Sequence, residues 1–256
     1  MAARIVEAAG PTRDDLVCEI GAGAGTLTGL LAARAGRVVA LEIDPALHAR
    51  LAALAARWPT VEARLADARR FPYEALRCAW PAPEGRVLVV GNLPYSVSKP
   101  ILFRLFEARR TLDALTLMLQ REVAERLVAA PGSRAYGALS VMWQVWADLA
   151  LLFGVPPAAF RPPPAVESAV VQATFRAWPR VPVADEAAFR RVVAAGFAQR
   201  RKTLANALRG GGVPPPRGGL AAALHAAGID GRRRAESLTL EEFARLAEFF
   251  VAPPGA

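Results

Sequence analysis

Metal and thiol chemistry have little to work with in this chain. Its 256 residues include two cysteines, Cys18 and Cys78, and two histidines, His48 and His225. Scattered this far apart, they make no Cys/His metal site. Two cysteines cannot build a disulfide framework, so a reducing, cytoplasmic compartment is expected. Cys18 lies within an apolar run and reads as plain core. No signal peptide opens the chain. The most apolar long window, 138–155, contains Gln144 and Asp148, so it reads as a buried helix running into a strand rather than a membrane span. Lysine is nearly missing too. Of 32 cationic side chains, all but Lys99 and Lys202 are arginine.

What is there is apolar and basic. With 54% hydrophobic residues the chain can bury a sizeable core, and its length suits one large domain with a small appendage. A net charge of +9 favours a polyanionic partner, and arginine is the better fork for phosphates.

The front of the chain alternates strands and helices. Residues 2–9 are helical, and Gly10-Pro11 ends them. Apolar runs at 16–20, 38–43, 61–65, 87–90 and 115–119 read as strands. Asp44 and Pro45 supply an N-cap and N1 for a helix after the second, and Pro100 opens the helix after the fourth. The class is therefore α/β, with a mostly parallel, doubly wound sheet. The β-branched, alternating run 168–175 suits an antiparallel edge strand closing it. After Trp178-Pro179 the character changes. Phe189, Val192, Val193, Phe197, Leu204 and Leu208 share one face at helical spacing, with Arg190, Arg191, Arg200, Arg201 and Lys202 between them, and Gly210 to Gly212 stops the helix. Residues 220–227 form another helix. Thr239 and Glu242 form a capping box for the last, through Phe243, Leu246 and Phe250. The expected division is 1–179 as the α/β core and 180–256 as a small, basic, all-helical domain.

Several candidate site residues fall at carboxyl ends of strands, where open α/β sheets bind ligands. The turn Gly21-Ala22-Gly23-Ala24-Gly25 after the first strand brings backbone close to a ligand and opens a helix. A dinucleotide fingerprint would need glycine where Thr26 stands, so the pattern argues weakly against NAD; by itself it is equally an ordinary Gly-rich turn. Glu42 ends the second strand, where an acid can take both hydroxyls of a ribose. Asp67, followed by Ala68, ends the third and could accept from an adenine amine, or simply cap the next turn. Together they point to an adenosine-containing cofactor. Asn92-Leu93-Pro94-Tyr95 ends the fourth. An exocyclic aromatic amine is a poor nucleophile because its lone pair is delocalised. The Asn92 side-chain oxygen and the Leu93 carbonyl could hold its two hydrogens and favour a pyramidal nitrogen, while Tyr95 stacks on the ring. The plainer alternative is a structural Asn-x-Pro turn. The stiff loop 159–168 carries a second ring, Phe160, which could instead be tucked into the core.

At this point a resemblance becomes specific. Glu19-Ile20-Gly21-Ala22-Gly23-Ala24-Gly25-Thr26-Leu27-Thr28 resembles the cofactor loop of the KsgA-type rRNA adenine N6,N6-dimethyltransferases. Gly91 to Tyr95 followed by Pro100 is similar to that family's catalytic loop. Gln120 to Leu127, Tyr136 to Val141, the Phe160 loop and Gln199 to Asn206 match in order, so the resemblance runs over nearly the whole chain. It implies a Rossmann-like class I methyltransferase core and S-adenosyl-L-methionine as cofactor, on Gly21, Gly23, Glu42, Asp67, Ala68 and Asn92. It also implies a substrate: two adjacent adenosines in the 3′-terminal stem-loop of 16S rRNA in the small ribosomal subunit or its precursor, each dimethylated. Tyr95 and Phe160 would sandwich the extruded base, beside Asn92 and Leu93. Arg200, Arg201 and Lys202 would touch phosphate. A cytoplasmic monomer without metal or membrane is expected. One family element has no match: a Gly-Gln-x-Phe-Leu segment that closes over the methionine end of the cofactor. Met1 falls inside the helix that normally follows it. The rival readings are a non-catalytic small-subunit assembly factor, a 23S rRNA adenine methyltransferase of the macrolide-resistance type, and a DNA or protein-glutamine methyltransferase with an Asn-Pro-Pro-Tyr loop. Leu93 and the basic helices count against the last.

Overall fold

A computed structural model describes residues 1–80, 82, 84–160, 163–216 and 218–251. Its first half runs α1 (Ala2–Ala9), β1 (Leu16–Ile20), α2 (Thr26–Ala32), β2 (Arg37–Glu42), α3 (Pro45–Ala55), β3 (Val61–Leu65), α4 (Glu74–Ala79), β4 (Val87–Asn92), α5 (Ser98–Glu107) and β5 (Ala114–Gln120). There follow α6 (Arg121–Val128), α7 (Ala138–Trp146), β6 (Ala147–Val155), β7 (Ser168–Phe175), α8 (Glu186–Ala198), α9 (Leu204–Gly210), α10 (Leu220–Ala226) and α11 (Leu240–Ala247).

The strands form one sheet in the order β3-β2-β1-β4-β5-β7-β6. The first five are parallel, and β7 runs antiparallel to β5. The chain order reverses between β1 and β4, which makes their carboxyl ends the switch point of the sheet. Two expectations change here. β7 is not the edge: it is buried along most of its length, and the more exposed β6 lies outside it. Helix α5 opens at Ser98, two residues before Pro100, which sits within its first turn, where no backbone N–H is needed. The Asp44 side chain accepts from Ala46 and Leu47 N–H at 2.8 and 3.0 Å, with Pro45 at N1, so α3 starts where its cap dictates.

The chain packs as two compact units. The first is Met1–Ala124 with Asp148–Phe175, and its apolar cluster includes Ile5, Val17, Leu31, Val38, Leu88 and Val90. The second is Arg176–Ala256 with Glu125–Ala147. Residues 125–147 lie before the boundary expected at 180 because Tyr136, Val141 and Val145 pack in one core with Phe189, Val192, Leu204 and Phe243. The single helix expected from 189 to 208 is two, α8 and α9, broken at Gln199 to Thr203. Leu204 N–H donates to the Arg233 carbonyl at 2.7 Å, so the second helix starts on a tertiary contact that periodicity cannot show. No helix among the described residues is long and apolar enough to cross a membrane, and the window 138–155 is α7 running into β6.

One acid is folded into the sheet itself. Glu19 on β1 is buried and accepts from the Thr28 hydroxyl of α2 at 2.6 Å, which ties the strand to the helix after the glycine turn. Burial pushes its carboxyl up to about 8; the Thr28 bond lowers it somewhat, and the nearby Glu42 raises it. Beside it, burial and then Glu19 push the Cys18 thiol up, as befits an inert core residue. From its ordinary value of 4.5, Glu19 takes up a proton on folding between pH 4.5 and about 8. The folded state should therefore lose stability as pH rises through that window, by up to about 1.4 kcal/mol per pH unit. In denaturant titrations across this range, Glu19→Gln should gain on the wild type as pH rises and level off above it. Parallel curves for the two proteins would show that Glu19 is ionised in the fold.

Candidate active site

The glycine turn after β1 is bound to the end of β2. Gly21 and Ala22 N–H both donate to the Leu41 carbonyl at 3.0 Å. Gly21, Gly23 and Gly25 have φ of 69°, 56° and 86°, a region that favours glycine. The buried Glu42 carboxylate accepts three backbone N–H groups: Gly23 at 2.7 Å on one oxygen, Ile43 at 2.8 Å and Asp44 at 2.9 Å on the other. Glu42 thus holds the turn in shape as well as standing at the strand end.

The next acid along the edge is placed by its own neighbours. Ala66 N–H donates to the Glu42 carbonyl at 2.9 Å, and Asp67 follows. Its carboxylate accepts Arg69 N–H at 2.9 Å and the Arg69 guanidinium at 2.6 Å, so the turn-capping role and an ion pair coexist. The hydrogen bond from Arg69 holds the Asp67 carboxyl below its usual range. The Ala68 carbonyl accepts from the fully buried Tyr73 hydroxyl at 3.0 Å. Two apolar side chains that sequence reasoning missed stand open on this edge: Ile43, 60% exposed, and Leu65, 54% exposed. Their signal was an apolar residue beside each strand-end acid, which the strand pattern alone assigns to the core.

Asn92 is the last residue of β4, and it is exposed. A β-carbon on Gly21 would lie 3.5 Å from the Asn92 carbonyl oxygen, so the glycine turn and the Asn92 loop run close together. Leu93 has a buried side chain, and its N–H donates to the Met118 carbonyl at 3.1 Å. Tyr95 starts a single 3₁₀ turn, Tyr95–Val97, and its carbonyl accepts from the buried Ser98 hydroxyl at 3.1 Å. The half-buried Tyr95 ring ends in a hydroxyl 2.5 Å from Ser168 Oγ.

Phe160 follows the 3₁₀ turn Pro157–Ala159, half-buried against the apolar cluster of the first unit. Arg161 and Pro162 of its loop lie outside the described residues. In the second unit Arg200, Arg201 and Lys202 are all exposed, in the turn between α8 and α9 rather than on a helix face. Arg200 donates to the Arg134 carbonyl at 2.7 Å and lies 4.0 Å from Glu236.

These donors fit S-adenosylmethionine. A β-carbon on Gly23 would meet nothing within 4 Å, so the turn is open to a ligand. Strand-end acids and exposed apolar side chains line the same edge, and the Asn92 loop runs close to the turn.

Comparison with known proteins agrees. A profile of the ribosomal RNA adenine dimethylase family matches residues 1–251. Ribosomal RNA small subunit methyltransferase A of Syntrophotalea carbinolica is 46% identical, covering 92% of this chain and 86% of that one. The protein of the same name from Anaeromyxobacter sp. strain K is 48% identical, covering 94% and 86%. The crystal structure of the 23S rRNA methyltransferase ErmE superposes with a TM-score of 0.70 at 28% identity, covering 97% and 96%. A dimethyladenosine transferase from Plasmodium falciparum shares the fold, with a TM-score of 0.73 at 21% identity over 96% and 93%. With a match along almost its full length, the chain belongs to the ribosomal RNA adenine dimethylase family.

Proposed function

We propose that the chain dimethylates N6 of two adjacent adenosines in the 3′-terminal stem-loop of 16S rRNA, acting as a cytoplasmic monomer on the small subunit or its precursor. Its family makes it an S-adenosylmethionine-dependent rRNA adenine dimethyltransferase; the subunit, the nucleotides and the residue roles are the proposal. The observation that carries it is the close approach of the glycine turn to the Asn92 loop at the switch point. Identities of 46% and 48% to small-subunit enzymes, against 28% to the 23S enzyme, favour 16S rRNA.

Gly21, Gly23, Glu42, Asp67, Ala68 and Asn92 would hold the cofactor, with Ile43 and Leu65 offering an apolar face to its adenine. When bound, the cofactor supplies a methyl group on a sulfonium, an electrophile that needs no further activation. The chain's task is to make the amine a nucleophile. The Asn92 side-chain oxygen and the Leu93 carbonyl accept its two hydrogens, which favours a pyramidal nitrogen with a directed lone pair. Leu93 can serve because its N–H bond to Met118 holds the peptide before it and the Pro94 ring stiffens the peptide that carries its carbonyl. Tyr95 lies against one face of the base and Phe160 against the other, a contact worth about 1–3 kcal/mol per ring. Positioning supplies most of the rate. The proton shed by the nitrogen leaves past Asn92, which is exposed to water, so no general base is required. Arg200, Arg201 and Lys202 bind phosphates of the RNA.

The test is incubation with labelled S-adenosylmethionine and unmethylated small subunits, followed by mapping of the modified nucleotides. Both adenosines should be doubly methylated. Unmodified adenosines alongside intact subunit binding would favour a non-catalytic assembly factor. Asn92→Ala should lower the methylation rate by about 100-fold or more, the scale of losing one aimed polar group, and leave subunit binding near that of the wild type. Replacing Arg200, Arg201 and Lys202 together with alanine should weaken RNA binding and reduce the slope of log K against log salt by about 2. An unchanged slope would remove these three from the phosphate contacts.

A further inference from the structure

We infer that Ser168 is a positioning residue for Tyr95, and that their hydroxyl pair joins the two loops that clamp the target base. This rests on Tyr95 being the ring that stacks on adenine. Ser168 is the first residue of β7, in register with Gln120 at the end of β5, and it is 0% exposed. A hydroxyl in such a place needs a partner. Its partner is Tyr95, 73 residues away in sequence, with the two oxygens 2.5 Å apart.

The anchor is stiff where Tyr95 itself is not. Ser168 belongs to a full ladder, whereas Tyr95 sits in one turn of 3₁₀ helix after a strand end. Residue 167 fastens the anchor further. The Glu167 carbonyl accepts Arg121 N–H at 2.9 Å, and its carboxylate pairs with the Arg121 guanidinium at 2.6 Å. A tyrosine tied only through its backbone can still turn about its side-chain torsions. One tied also at the far end of the ring has its plane set. The bond therefore fixes the orientation of the stacking face. It also engages the phenol, so Tyr95 works through its ring and not as an acid or base. Because β7 begins where the loop carrying Phe160 ends, the pair joins the ends of the two clamping loops.

The test is a double-mutant cycle of Tyr95→Phe and Ser168→Ala in the full chain, measured by methyl transfer to unmethylated small subunits. Each single variant should lower kcat by about 3- to 10-fold, the scale of one neutral hydrogen bond. KM for subunits should change less than kcat, because phosphate contacts carry most of the RNA affinity, and the cofactor dissociation constant should stay within about twofold of wild type. The double variant should be no worse than the weaker single, since both remove the same bond. Tyr95→Phe alters no fully buried residue and keeps the ring, so it carries the test even if Ser168→Ala folds poorly. With an active wild type, a Tyr95→Phe variant of unchanged kcat, or single effects that multiply in the double, would overturn the inference and leave the proposed function standing. A wild type that methylates nothing would overturn both.

Discussion

Ile20 and Gly91 are partners in the β1–β4 ladder, and a β-carbon on Gly91 would stand 2.7 Å from the Ile20 carbonyl oxygen. Only glycine lets the two strands lie this close at their carboxyl ends. The next residues along, Gly21 and Asn92, are consequently brought close together. Since the chain order reverses between these two strands, their loops diverge and leave a crevice. Methyl transfer between two bound molecules needs one loop to hold each, within a few ångströms. The pairing of two neighbouring strands provides that separation, and the other site residues are added around it.

Glu42 shows how much of the cofactor edge is backbone held by charge. One carboxylate gathers N–H groups from Gly23, Ile43 and Asp44, so it shapes the glycine turn and the start of α3 together. Asp67, on the adjacent strand, has its charge matched by an exposed guanidinium instead. Glu19, inside β1, is held instead by the Thr28 hydroxyl, and burial keeps its proton on. Three acids near one edge thus have three different surroundings: a backbone cradle, an ion pair and a desolvated core.

The strands, the glycine turn and the order of the strand-end residues were legible because each depends on local rules: apolar runs, turn chemistry and caps. Asp44, Thr239 and Gly21 are examples where the local reading and the fold agree. What was not legible depends on distant partners. The mostly apolar character of β6 suggests burial, yet it lies at the sheet edge, since periodicity does not report strand order. The break before α9 is stabilised by a carbonyl 29 residues on, at Arg233. Tyr136 lies before the expected boundary but packs with Phe197 from the helices after it. Of the proposed site, Asn92, Glu42 and Asp67 stand out in the sequence because acids, amides and glycines at strand ends are unusual. Ser168 does not, because a serine opening a strand looks like any other until Tyr95 is seen against it.

Arginine supplies nearly all the positive charge, and its placement separates affinity from chemistry. An amine held for methylation needs acceptors; a free cation beside it would compete for them and repel a sulfonium. Arg69 is paired to Asp67 and Arg121 to Glu167. Arg200, Arg201 and Lys202 form an exposed basic turn in the second unit. Phosphate contacts strengthen binding and set register without reading the base. On the proposed reading the choice of adenine then falls to the Asn92 and Leu93 acceptors and the Tyr95 ring, so substitutions at the basic turn should alter how often the RNA is bound, and those at the loop should alter what happens once it is.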